Sequence, residues 1–239
     1  MRRVAIAVTA ALLIPALLGA ANGPRITVLA ASSLTEVLPK LDKTPRYSFA
    51  GSDQLAFQIK QGAPADVFAA ASPKYPQQLY AEGLVAKPVT FARNALVLIV
   101  PRDNPAGVRT VYDLRRPGIK LVIGEKGVPI GDYTRAVLMK LGLEDALQNV
   151  VSEESDVKLI AGKVALGDAD AGFVYRTDAR PLGRRVLVIA IPAAGQPEVE
   201  YQVAVVKASR HQPEARAFVR LLLGKKGRAA LGAAGFGLP

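Results

Sequence analysis

The chain has 239 residues with no Cys and one His, which excludes disulfides, thiol nucleophiles, thiolate metal sites and His-based metal spacings. Lys and Arg number 31 against 20 Asp and Glu, a net charge of +11. The densest basic clusters, Arg184-Arg185 and Lys225-Lys226-Gly227-Arg228, do not interleave with aromatics as a nucleic-acid groove would, so no nucleic acid is expected as a partner.

Residues 1–21 read as a signal peptide: Arg2 and Arg3, an apolar run from Val4 to Leu18 broken at Pro15, then Gly19-Ala20-Ala21 as a cleavage site. A membrane span needs about 20 unbroken apolar residues, and no Cys follows to take a lipid. The expected product is periplasmic and soluble after cleavage. Losing Arg2 and Arg3 lowers its charge from +11 to +9.

Short β-branched runs then alternate with helical periodicity. Strands are expected over 25–29, 47–49 and 66–68, with helices over 34–41, 53–60 and 73–82. The apolar runs Ala95–Val100 and Tyr201–Val206 read as buried strands. Between them come strands over 120–123, 171–175 and 186–191 and helices over 132–141 and 156–166. A last helix runs over 213–223. This alternation predicts an α/β fold in which ligands sit where strands end and helices begin.

Four helix starts carry a Ser, Gly or Pro ahead of apolar periodicity: SSLTEVL (32–38), GSDQLAFQI (51–59), VPIGDYTRAVL (128–138) and ESDVKLIAGKVAL (154–166). The first amides of a helix lack partners and carry partial positive charge, so converging starts suit a small oxyanion. Ser33 fits a capping box with Glu36 or offers its hydroxyl to a ligand, and Ser52 beside Gly51 is equivalent. Pro129-Ile130-Gly131 offers the Ile130 amide. In Ser155-Asp156-Val157 we expect Ser155 as the cap and the Val157 amide free. Tyr175, closing strand 171–175, presents its phenol at the same edge or is simply a buried Tyr with a structural hydrogen bond. His211 is the only His, and no G-x-S-x-G or phosphate-binding G-x-x-x-x-G-K-[ST] motif occurs, so no catalytic residue is assigned.

The set ITVLAASSL, SFAGSDQLAFQI, GAPADVFAAAS (62–72), GVPIGDY (127–133), GFVYRTDA (172–179) and YQVAVV, in this order over about 26–237, resembles the periplasmic molybdate-binding proteins. The resemblance implies a type II periplasmic-binding fold, each lobe a mixed sheet flanked by helices. Lobe 1 would be 25–96 with 202–239, and lobe 2 would be 97–201. It implies a monomeric receptor, with no cofactor or catalysis, that passes molybdate or tungstate to an ABC permease and its ATPase. The anion's oxygens would be held by Ser33, Ser52, Ile130, Val157 and Tyr175, with no protein atom on the metal and Asp66 structural. Three departures stand out: a short segment over 41–45, Ile130 where a small residue is common, and Asp53 where a hydroxyl is usual.

We expect Asp53 to point to solvent, since facing the pocket it would repel a dianion and favour a protonated phosphate. The alternatives are a receptor for sulfate, with a smaller cavity, or phosphate, with an inward acceptor. Further off are an exported phosphoryl- or sulfuryl-transfer enzyme and a basic scaffold for polyanions.

Overall fold

The computed structural model describes residues 25–239, so the expected signal peptide lies outside the described residues. In chain order the elements are β1 (Thr27–Ala31), α1 (Leu38–Leu41), β2 (Arg46–Ala50), α2 (Ser52–Lys60), β3 (Val67–Ala70), α3 (Lys74–Ala81), β4 (Val89–Asn94) and β5 (Leu96–Pro101). Then follow β6 (Leu121–Gly124), α4 (Pro129–Lys140), β7 (Val150–Glu154), α5 (Val157–Leu166), β8 (Ala171–Tyr175) and α6 (Arg176–Ala179). The last are β9 (Val186–Ala190), β10 (Val199–Val205), α7 (Gln212–Leu223) and α8 (Lys225–Ala234).

The strands form two mixed sheets of five, ordered β2-β1-β3-β10-β4 and β7-β6-β8-β5-β9. Each contains an interior strand, next to one edge, that is buried along nearly its whole length. In β5 all of Leu96–Pro101 is buried, and in β10 only Glu200 is not. Burying a Leu, Ile or Val side chain stabilises by roughly 1.5–3 kcal/mol, so these unbroken apolar runs anchor both lobes. The chain crosses between sheets at Asn94–Leu96 and returns between Ala190 and Val199, ahead of residue 202. Gln196 ties the two crossings together: its Oε1 accepts from the Leu96 amide (3.1 Å) and its Nε2 donates to the Leu96 carbonyl (2.8 Å).

The first expected helix, 34–41, is not continuous. A 3₁₀ turn covers Ser32–Leu34 and α1 is a single turn. The short 41–45 segment explains the trimming, because the chain must reach β2 at once; the Tyr47 hydroxyl closes it, lying 2.7 Å from the Asp42 carbonyl and 3.2 Å from that of Leu38. β4, β7 and α8 carried no clear period in the sequence. β7 alternates across an exposed face, and α8, rich in Lys, Gly and Ala, buries only Gly227 and Leu231. Among the described residues no helix is long and apolar enough to cross a membrane, and no group of three or more His, Cys, Asp or Glu could hold a metal.

Candidate anion-binding site

One small pocket between the two lobes is lined by all five candidates, Ser33, Ser52, Ile130, Val157 and Tyr175. The volume open to the centre of a water-sized sphere is about 10 Å³, far below the roughly 300–1,000 Å³ usual for organic ligands. That size fits an inorganic ion better than a sugar or a peptide.

The backbone donors come from helix starts. In α4 the first amide to find an intrahelical carbonyl is Asp132, which donates to Val128 at 2.9 Å. Pro129 at the first position has no N–H to leave unsatisfied, so the Ile130 amide is the first donor facing the pocket. The Ile130 side chain is accommodated because Gly124 lacks a Cβ; one there would stand 2.8 Å from Ile130 Cγ2. At α5 the cap is Asp156 rather than Ser155. Asp156 Oδ1 accepts from the Lys158 and Leu159 amides at 2.6 and 3.2 Å, and its carboxylate is favoured beside a helix N-terminus. Val157 precedes the capped amides, so its N–H is left over.

The side-chain donors are prepared by their neighbours. Ser52 Oγ accepts from the Ala71 amide at 3.1 Å, which leaves the Ser52 proton free for the pocket. Ser33 does not cap a helix: no side-chain cap bond forms at its turn, Glu36 pairs with exposed Lys40 at 3.7 Å, and Ser33 Oγ instead lies 2.9 Å from the Tyr201 hydroxyl. The Tyr175 hydroxyl is buried with no hydrogen-bond partner among the described residues. Burial pushes its pKa well above the ordinary value, so it remains a protonated donor. An orphaned buried hydroxyl is costly unless something completes it, and an anion in this pocket would do so. No Lys or Arg lines the pocket.

A family model of bacterial extracellular solute-binding proteins matches residues 26–237. The chain belongs to that family. This solute-binding protein is 35% identical over 232 residues to the molybdate-binding protein ModA of Mycobacterium tuberculosis, covering 92% of this chain and 88% of that protein. It is 32% identical to ModA of Haemophilus influenzae, covering 84% and 85% of the two chains. Its fold is similar to the Azotobacter vinelandii periplasmic molybdate-binding protein, with a TM-score of 0.78 at 24% identity, covering 90% of this chain and all of that one.

In this solute-binding protein neither Asp53 nor Asp66 lines the pocket; Asp53 stands in the first turn of α2 beside it, and Asp66 lies at the opposite, amino-terminal end of β1. Asp53 does not point to solvent, as the sequence had led us to expect. Its Oδ1 is buried with no hydrogen-bond partner, and burial raises its pKa while its own amide and that of Gln54 lower it. The carboxylate folds back over the first turn of α2, where the helix dipole favours it, and so stays out of the pocket lining. Asp66 accepts from the Thr27 amide at 2.6 Å and from Ser209 Oγ at 2.5 Å, holding β1 and the chain after β10 together.

Sequence reasoning missed Asp178, which is fully buried in α6 with Lys158 Nζ at 3.0 Å. Burial pushes its carboxyl up to about 6; Lys158 pulls it back, and the charges of Asp156 and Glu36 add to the rise. Its folded pKa thus lies above the ordinary carboxylate value near 4, so the stability gained by protonation is complete below about pH 4 and lost as pH rises through about 6. Asp178→Asn mimics the protonated form. Relative to wild type, the variant is expected to gain on the order of 1–3 kcal/mol between pH 4 and pH 7.5, read by urea unfolding at both values. A wild-type-to-variant difference that does not change with pH would refute this.

Proposed function

We propose that this protein is the substrate receptor of an ABC importer and captures molybdate or tungstate between its two lobes. Its lobes would be 25–96 with 202–239, and 97–201. The anion would be held by the hydroxyls of Ser33, Ser52 and Tyr175 and by the amides of Ser33, Ser52, Ile130 and Val157. One observation carries the reading: no Lys or Arg lines the pocket, the buried Tyr175 hydroxyl there has no partner among the described residues, and Ser52 Oγ already accepts from the Ala71 amide, so its proton is free for an anion. A tetrahedral dianion has acceptors on every side and no proton of its own, so it satisfies such a site completely. The relatives named for molybdate binding support the choice of anion.

In this reading the protein is periplasmic once residues 1–21 are removed, acts as a monomer, performs no catalysis and delivers its cargo to a permease with its ATPase. Asp53 lies outside the pocket lining, and Asp156, which lines it, turns Oδ1 to the Lys158 and Leu159 amides; both count against phosphate, since a protonated phosphate needs an acceptor.

Thermal unfolding of the mature protein with excess molybdate, tungstate, sulfate or phosphate tests this. At about 100 times its dissociation constant a ligand adds roughly 2.7 kcal/mol, which for a chain of this size raises the midpoint by about 5–10 °C. Shifts with molybdate and tungstate alone are expected. A shift with sulfate or phosphate instead would reassign the anion, and no shift with any of them would overturn the receptor reading.

A further inference from the structure

We propose that Asn94 and Tyr201, neither of which lines the pocket, fix the direction of the Ser33 proton and so set the selectivity of the site for fully deprotonated anions. The inference rests on the anion-receptor reading above and adds positioning residues to it.

The direction of each bond follows from the one before. The Ala95 amide donates to Asn94 Oδ1 at 3.0 Å, which fixes the orientation of the Asn94 carboxamide. Its Nδ2 must then face the other way, where it donates to Thr177 Oγ1 at 2.9 Å and to the Tyr201 hydroxyl oxygen at 3.4 Å. With that oxygen receiving a proton from Asn94, the Tyr201 O–H turns to its remaining partner, Ser33 Oγ, at 2.9 Å. Ser33 Oγ thereby accepts from protein, and its own proton is left for the pocket.

Tyr201 is well placed to hold this direction. It is fully buried, and its ring is held by edge-on contacts with Phe236, Tyr175 and Phe91 at centroid distances of 5.4, 5.8 and 6.1 Å. Burial raises its pKa well above the ordinary phenol value, so it stays protonated.

The two serines differ in a way that makes the relay informative. Ser52 Oγ accepts a hydrogen bond from a backbone amide, that of Ala71, which no side-chain change removes. The polarity of Ser33 depends instead on two side chains at the crossing between the sheets. If Ser33 turned round, its oxygen would accept the O–H of a protonated anion such as phosphate.

Calorimetric titration of molybdate and phosphate into the wild type, Tyr201→Phe, Asn94→Asp and Ser33→Ala, together with the two double variants on Ser33→Ala, tests the relay. Tyr201→Phe is expected to weaken molybdate binding about tenfold and to narrow the preference for molybdate over phosphate. In Asn94→Asp the second carboxylate oxygen would accept from Tyr201, reversing the chain and turning the Ser33 proton inward. Molybdate affinity should then fall about 100-fold.

On the Ser33→Ala background the Tyr201→Phe effect should vanish, and Asn94→Asp should retain only its charge repulsion. Tyr201→Phe losses of equal size on both backgrounds, or an unchanged molybdate-to-phosphate ratio, would overturn the relay while leaving the receptor reading intact. A wild type that binds neither anion would overturn both. If Tyr201→Phe does not fold, Asn94→Leu, which removes the Nδ2 donor that orients the Tyr201 hydroxyl, should narrow the preference for molybdate over phosphate only where Ser33 is present; an unchanged ratio would overturn the relay.

Discussion

Replacing Val157 by proline should weaken molybdate binding about 100-fold, whereas Val157→Ala should change it by no more than about threefold. The difference isolates one backbone N–H. Val157 is the first residue of α5, where proline's fixed φ and missing amide proton are tolerated, and Asp156 before it is already extended at φ −160° and ψ 167°. The helix therefore survives while the pocket loses a donor to a charged ligand, worth about 1.5–3 kcal/mol. Alanine retains the amide and loses only buried methyl groups, so it lowers stability more than affinity. Titration calorimetry on both variants checks this. If Val157→Pro binds like wild type, the amide is not a ligand.

Gly51→Ala should also cost about 100-fold in affinity, for a different reason. Gly51 sits at φ −59° and ψ 140°, a backbone any residue adopts, so the substitution adds no local strain. A Cβ there would stand 2.5 Å from the Ser155 carbonyl oxygen, which belongs to the other lobe, and 2.6 Å from Asp53 Oδ1. The Asp53 carboxylate can swing away; the carbonyl cannot move without withdrawing the start of α5. Overpacking of this kind costs roughly 1–3 kcal/mol, charged here to the lobes' closing over the ligand. The ligand-free melting temperature should change by only a few degrees. A variant that keeps wild-type affinity would show that the lobes need not approach this closely.

Much of this site was legible in the sequence, because helix starts write themselves locally. Pro129 and the Ser155-Asp156-Val157 run mark where helices start and amides go unpartnered, although which of Ser155 and Asp156 caps α5 did not show. One misreading was local, Ser155 for its neighbour Asp156 as the cap of α5; the others arose where distant residues compete for the same group. Ser33 fitted a capping box with Glu36, but Tyr201, 168 residues away, takes that hydroxyl. Asp53 read as a surface charge on α2 because nothing nearby in sequence shows the neighbouring lobe covering it. Asp178 carried no local signal at all, since its pKa is set by burial that only the packed α6 provides. The strands were found where they were wholly apolar, as in β5 and β10. β2 and β9 were found although part of each meets water, whereas β4 and β7, with charged or polar residues among few apolar ones, were missed.

The order β2-β1-β3-β10-β4 has a consequence for how the polypeptide is made. β10 lies between β3 and β4, pairing with both, yet it is separated from β3 by well over a hundred residues. Until β10 has been synthesised, the first sheet is left with an open slot, and the free edge of β3 resembles the unpaired strands that seed aggregation. The second sheet, by contrast, draws all its strands from one uninterrupted stretch, β5 to β9. Chain-closure entropy thus favours an assembly order in which the later-numbered sheet matures first and the amino-terminal one waits, unfinished, for the strand that joins β3 to β4.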